Sequence, residues 1–368
     1  MNFRCRRVFL SIIIFLITSL VVGTVAFSSE PENKNHSENP AEKKAFNAGE
    51  FMFDHIKDAY EWHILSWKGH HVSIPLPVIV YSKTSGLNIF ISSKFHHGHE
   101  SYKSFKIEKE GKYKGKVVEE MEGGAVVRPF DISITKNITS LFIGVAIMLW
   151  LFLGIAKTYR KNPNKAPKGV QAFLEPLILF VRDDIAKPAI GEDKYEKYLP
   201  YLLTVFFFIW INNMLGLIPI FPGGANLTGN IAITLVLALL TFIITTVSGT
   251  KDYWVHIINM PGVPLLLKFP IPLLPFIEIM GVFLKPFVLM IRLFANITAG
   301  HLIILGFISL IFIFGNMSPI GGYGISILSI GFSIFMMFIE LLVAFIQAYV
   351  FTLLSAMYFG MALEKAHH

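Results

Sequence analysis

The chain has 368 residues, a net charge of +7, one cysteine and a hydrophobic fraction of 54%. Its mean hydropathy of +0.58 is well above that of an ordinary soluble domain, and its apolar residues gather in blocks long enough to cross a bilayer, which takes ~20 helical residues. A soluble globular protein is excluded; the bases sit in loops between apolar blocks, which leaves no case for nucleic acid, and Cys5 alone cannot form an intrachain disulfide.

Arg4, Arg6 and Arg7 precede an apolar run over 8–27, the layout of a secretory signal with cleavage expected near Ala26. The run is long enough to remain as an anchor; either way the arginines stay in the cytoplasm and the next segment is exported. Residues 28–50 are polar and acid-rich and read as a flexible linker. Residues 51–130 are the one substantial region outside the membrane. A helix-like piece, FMFDHIKDAYEWH, opens it. The β-branched and aromatic runs HHVSIPLPVIVYS, LNIFISS and SYKSFKIEKEGKYKGKVVE follow, separated by Gly and Ser-Lys turn signals, and predict a small β-rich domain of strands and hairpins. Its histidines include His55, His63, His70, His71 and the cluster His96, His97 and His99. Short His-rich tracts sometimes hold metal, but no cysteine and no spaced acid beyond Glu100 accompanies this one. A solvated loop is the expected reading, and no metal or cofactor is assigned.

Residues 131–368 form a membrane domain with five apolar blocks, at about 134–156, 199–220, 227–247, 271–314 and 325–363. The 157–197 loop is dense in lysine and arginine (Lys157, Arg160, Lys161 and Lys165 among them), whereas 221–226 and 315–324 carry none. The positive-inside bias places that loop and the C-terminal tail with Lys365 in the cytoplasm, and 28–133 outside. Five crossings satisfy this, and the signal agrees. The fourth block, at 1.5 Å per residue, spans roughly 66 Å, about twice the hydrocarbon core. It must tilt strongly, break or lie along the membrane, and the fifth block has the same problem.

Ionisable groups deep in apolar blocks are expensive and mark function. Block four carries Glu278, Lys285, Arg292 and His301, with Asn296 between the last two; block five carries Glu340 and Gln347. Blocks two and three offer Asn212, Asn213, Asn226 and Asn230 near their outer ends and little else. Arg292 cannot be deprotonated, so it is no proton carrier but suits a fixed positive barrier. His301 and Glu340 can each carry a proton, although a satisfied buried polar residue is the plainer reading for either alone. Their positions add to the case. In an antiparallel hairpin, facing residues have a nearly constant sum of positions. Arg292 with Gln347 and His301 with Glu340 both centre the turn near residue 320, where Pro319, Gly321, Gly322 and Gly324 stand. Arg292 and His301 lie about two and a half turns apart, on opposite sides of a straight helix.

RLFANITAGH, followed by ELLVAFIQAYVFTLLSAMYFGMALE, resembles the a subunit of F-type ATP synthases. The likeness covers 130–368 and includes FVRDDIAKPAIG and NNMLGLIPIFP. It implies an all-α polytopic protein of the bacterial inner membrane, with five transmembrane helices ending in a long, strongly tilted hairpin. The partners implied are a rotating ring of c subunits, the b subunits of the peripheral stalk, protons and the lipid bilayer. Arg292 would face the ring carboxylates, with Asn296 and Gln347 beside it; His301 and Glu340 would form the proton-carrying pair. The family varies in which helix bears the histidine, so this arrangement keeps the pair intact. Some members carry acids at the end of block two, where this chain has Gly216 and Phe221, so outer access would rest on Asn212, Asn213, His301, Glu340 and water. Another ion-coupled transporter is the alternative, but the two halves show no repeat. No HExxH or GxSxG motif supports a hydrolase.

Overall fold

The computed structural model describes residues 47–364, apart from 68–69, 97, 99, 122–124, 162–165, 219–222 and 259–272. The expected signal, linker residues 28–46, His97, His99, Phe221 and Lys365 lie outside the described residues.

Strand alternation builds the N-terminal region. Helix α1 (Ala48–Ile56) leads into β1 (Glu61–Trp67), which pairs antiparallel with β2 (His70–Pro75). A second sheet has the order β4-β3-β8, from β3 (Pro77–Ser82), β4 (Gly86–Ile91) and β8 (Phe130–Asp131). A third has the order β5-β6-β7, from β5 (Phe105–Ile107), β6 (Val117–Glu120) and β7 (Val126–Val127). Val78, Val80 and Phe90 point inward onto Phe95, Phe105 and Val117, as a period of two requires. The helix expected through FMFDHIKDAYEWH stops at Ile56, and the chain is extended from Glu61. Tyr60 and Trp62 are the reason: both are buried in the β region, and the Tyr60 hydroxyl donates to Asp131. Glu119 is buried too. Burial pushes its carboxyl up, but hydroxyl donors Ser82, Thr84 and Ser85 outweigh that and hold it below the usual range.

The membrane part is helical. Its elements are α2 (Lys136–Lys161), α3 (Val170–Phe180), α4 (Lys187–Ile190), α5 (Tyr195–Leu217), α6 (Ile231–Ser248), α7 (Lys251–Ile258), α8 (Leu273–Met317) and α9 (Pro319–Leu363). Five of these, α2, α5, α6, α8 and α9, are long and apolar enough to cross a membrane, so the chain is a multi-pass membrane protein. α8 and α9 each run unbroken for 45 residues. The turn between them falls at Ser318, close to the expected position near residue 320. Ser318 Oγ accepts from Gly321 N at 2.9 Å and Pro319 takes the first helical position, a standard helix start. Gly322 is therefore a packing position in α9: a Cβ there would sit 2.8 Å from Gly315 Cα.

The core centres on α5. Leu202, Phe206, Phe207, Phe208 and Ile209 are buried against Leu237 and Ala238 of α6 and Ala348, Ala356 and Phe359 of α9. The basic loop also contributes, which its charge alone did not foretell. α3 continues through a π-helical turn (Val181–Ala186) into α4, burying Val181, Ile185 and Ala186. On its outer side Arg182 Nη2 lies 2.7 Å and Lys187 Nζ 2.6 Å from Asp183. These cations, Arg182 foremost, hold the Asp183 carboxyl well below the usual carboxylate range.

Gly360 is where α9 meets this segment, since a Cβ there would lie 1.9 Å from the Ala189 carbonyl oxygen. A backbone carbonyl cannot yield like a side chain, and overpacking of this kind costs about 1–3 kcal/mol. Gly360→Ala should lower the detergent melting midpoint by several degrees, while Gly281→Ala, whose Cβ meets nothing within 4 Å, should not. Equal midpoints would remove the close approach as a constraint.

Candidate functional site

The tight α8–α9 turn sets the register of two antiparallel helices. Phe307 and Phe332 stack across it with ring centroids 5.4 Å apart and planes at 12°. Further from the turn, His301 Nδ1 lies 2.5 Å from Glu340 Oε1. Two lone pairs at that distance repel, so the contact requires a proton between them. Glu340 is 3% exposed and the His301 side chain 20%. Neither carboxylate oxygen of Glu340 receives another hydrogen bond among the described residues. A buried carboxylate so poorly provided for is costly.

Glycines make the room. A Cβ at Gly300 would stand 2.8 Å from Glu340 Oε1. A Cβ at Gly216, at the end of α5, would lie 4.0 Å from His301 Nε2. The free edge of the imidazole therefore faces the end of α5 and the loop into α6.

The two asparagines there part company. Asn213 Nδ2 reaches Ala344 O on α9 at 3.5 Å, one turn from Glu340, while its Oδ1 accepts from Thr228 Oγ1 at 2.6 Å. Asn212 donates to its own helix at Phe208 O, 2.8 Å away, and packs against Gly144 of α2, where a Cβ would lie 2.3 Å from Asn212 Oδ1. Adjacent helical residues diverge by ~100°, so only Asn213 borders the pair. Asn226 accepts from Gly229 N and Asn230 caps α6 through Ala232 N; both shape the loop.

Arg292 is half-buried, Asn296 is exposed and Gln347 is 6% exposed. Among the described residues no hydrogen bond joins Arg292 to Gln347, and Arg292 has no carboxylate partner. The flank around it is open: Phe287 is 55%, Val288 42% and Ile291 37% exposed. One to two turns further along α8, Lys285, Pro286 and Leu289 border a cavity with Thr241, Thr245, Tyr253 and Tyr358. Lys285 Nζ sits 5.5 Å from the Tyr358 ring centroid. Beside it, Tyr201 OH and Thr241 Oγ1 are 2.7 Å apart, and Thr241 Oγ1 and Ser355 Oγ 3.3 Å. The sequence reading passed over these hydroxyls, although threonines spaced by four in an apolar helix were a visible signal. Thr241, Thr245 and Ser355 each also bond a carbonyl of their own helix.

Comparison with known proteins bears on both regions. Residues 138–360 match the family model described as ATP synthase A chain. Residues 51–132 match a domain of unknown function (DUF8433). The chain is 41% identical over 244 residues to ATP synthase subunit a of Chloroherpeton thalassium, covering 65% of this chain and 69% of the relative. It is 45% identical over 250 residues to that of Chlorobium phaeobacteroides, covering 66% and 69%. With the Myxococcus xanthus protein of the same name the identity is 40% over 245 residues, covering 65% and 75%.

The space at Gly300 is open to test. Gly300→Ala forces a methyl into the Glu340 carboxylate and should separate the pair. The carboxyl band in infrared difference spectra, assigned through Glu340→Gln, should then shift. Gly154→Ala, where a Cβ meets nothing within 4 Å, should leave it in place. A band unmoved in Gly300→Ala would show that the contact does not depend on the glycine.

Proposed function

We propose a role that proceeds from one premise: this chain belongs to the ATP synthase A chain family. In that role it is the stationary proton-translocating a subunit of an F-type ATP synthase, a membrane component without a catalytic site of its own. Arg292 is the observation that carries the reading. A guanidinium is permanently charged, and an unpaired charge deep in an apolar helix costs several kcal/mol. Arg292 has no acid partner among the described residues, so its counter-charge comes from another chain. A ring of c subunits bearing membrane carboxylates supplies one. The surface it would roll against is the bare flank of α8 and α9, whose most apolar windows are only 11% and 17% buried, against 33–50% in the other spans.

Protons enter from the side of the β-rich domain along a water-filled half-channel that ends at His301 and Glu340, with Asn213 on its wall and Asn212 behind it. The pair hands its proton to a ring carboxylate. After nearly a full turn of the ring, that carboxylate reaches the second half-channel, which opens at the cavity around Thr245, Tyr253, Lys285 and Tyr358. Arg292 stands between, ~14 Å along the helix from His301 and ~10 Å from Lys285 at 1.5 Å per residue. Its charge favours the ionised carboxylate and so the release of the proton. The same charge opposes a proton moving straight from one half-channel to the other. Asn296 and Gln347 supply polar surroundings at this crossing. The b subunits of the peripheral stalk hold the chain still, with the β-rich domain periplasmic and the C-terminus cytoplasmic.

Arg292→Ala should leave the subunit inserted and assembled. Proton-driven ATP synthesis should fall by ~100-fold or more, the scale on which one lost charge contact acts at other buried sites, and passive proton flux should rise. His301→Ala and Glu340→Ala should be milder, since water substitutes for a carrier in an aqueous path. Inverted vesicles, with blotting for assembly, provide the assay. Near-normal synthesis in Arg292→Ala would end this mechanism.

Orientation has its own test. A protease added to intact spheroplasts should cut within 51–130 and spare 157–197. Cleavage of the basic loop from outside would reverse the assignment of the two half-channels.

A further inference from the structure

The β4–β3–β8 sheet hides one face and leaves the other bare. On β4, Leu87, Ile89 and Ile91 are 61%, 65% and 52% exposed, while Asn88 and Phe90 point into the domain. Tyr81 of β3 pairs with Leu87 on one side and Phe130 of β8 on the other. Beyond β8 the pairing continues, as Ile132 N donates to Ile79 O at 2.9 Å and Ile134 N to Pro77 O at 3.0 Å. The outward side is thus three adjoining rows without a charged side chain, and Tyr81 holds its one polar side-chain atom. A contiguous bare apolar face of this kind marks an interaction site.

The surroundings say what covers it. The row that ends at Ile134 enters the membrane-crossing α2 at Lys136. At ~3.4 Å per residue, Ile132 lies no more than ~14 Å from that helix start, and each headgroup layer is itself ~5–8 Å thick. The domain does not swing on a tether. Lys136 N donates to Ala59 O at 2.9 Å and Asn137 N to Asp58 Oδ1 at 3.0 Å. On its other side the α1 ring of Phe51 lies 6.0 Å from Phe312 of α8. Protein interfaces of useful size carry about one hydrogen bond per 100–200 Å², which this face cannot supply. Lipid asks for none, and the exposed Lys83 at the rim suits an anionic headgroup.

We propose that the bare face of the β4–β3–β8 sheet is a membrane-docking surface that lies on the lipid bilayer beside the N-terminal end of α2. The inference rests on α2 crossing the membrane and not on the proton path, so the two fail independently.

Photo-crosslinking of the full chain in its assembled complex, in native membranes, tests it. Ile89→benzoylphenylalanine places the probe mid-face, and Leu87→benzoylphenylalanine repeats it one pair away in case the first variant is poorly tolerated. Lys112→benzoylphenylalanine, exposed elsewhere on the domain, is the control. Mass spectrometry should find phospholipid adducts at Ile89 and Leu87 at least tenfold above Lys112. A cross-link to another polypeptide, to a second copy or to residues 1–46 would overturn the proposal. So would lipid adducts no more frequent than at Lys112, or no adducts at either face position.

Discussion

Ser318 and Pro319 turn α8 into α9 within a single non-helical residue, and the rest of the candidate site follows from that junction. A turn this short leaves the two long helices no freedom to slide. One residue of slip would rotate every α9 side chain by ~100° relative to α8, and His301 would lose Glu340. Close passage of Gly315 and Gly322 and the stacked rings of Phe307 and Phe332 hold the register from the turn inward. The His301–Glu340 contact is thus a product of turn chemistry as much as of local attraction between the two groups.

Around this hairpin the membrane domain divides into a packed half and an open half. α5 fills the centre with aromatic rings, and α9 meets it with Ala348, Ala356 and the rings of Phe345 and Phe359. The hydroxyls of Thr241, Thr245, Thr352 and Ser355 inside the packed half bond carbonyls of their own helices, which satisfies them locally. Arg292 lies on the boundary with the open half, where α8 has few neighbours in its own chain. A charge in that position, with no carboxylate partner among the described residues, is energetically costly.

Much of this was readable from residue order, for identifiable reasons. Charges are so rare in the apolar blocks that four residues could be matched across a hairpin by position alone, and the His301–Glu340 contact is where that matching pointed. Gln347 and Arg292 were matched the same way, yet no hydrogen bond joins them; position brings backbones level but does not orient long side chains. Of the glycines expected to make the turn, Gly322 packs the two helices instead, because Ser-Pro had already supplied the helix start. Gly300 was invisible as a site component, since space for a carboxylate leaves no mark on composition. In the basic loop, charge drew attention away from Val181 and Ile185, whose spacing of four was the helical signal. Tyr60 and Trp62 followed a helical pattern locally and were drawn into the β region by burial.

The bond from Asn137 N to Asp58 also bears on the order of events during synthesis. The first amides of a helix lack partners within it, and α2 finds one in a carboxylate made long before it on the ribosome. That carboxylate is positioned only when the β-rich domain has closed, and its last strand, Phe130–Asp131, immediately precedes the helix. The N-terminal region and the start of α2 are therefore coupled through this bond. A chain whose N-terminal region fails to close would leave the leading end of α2 short of one acceptor.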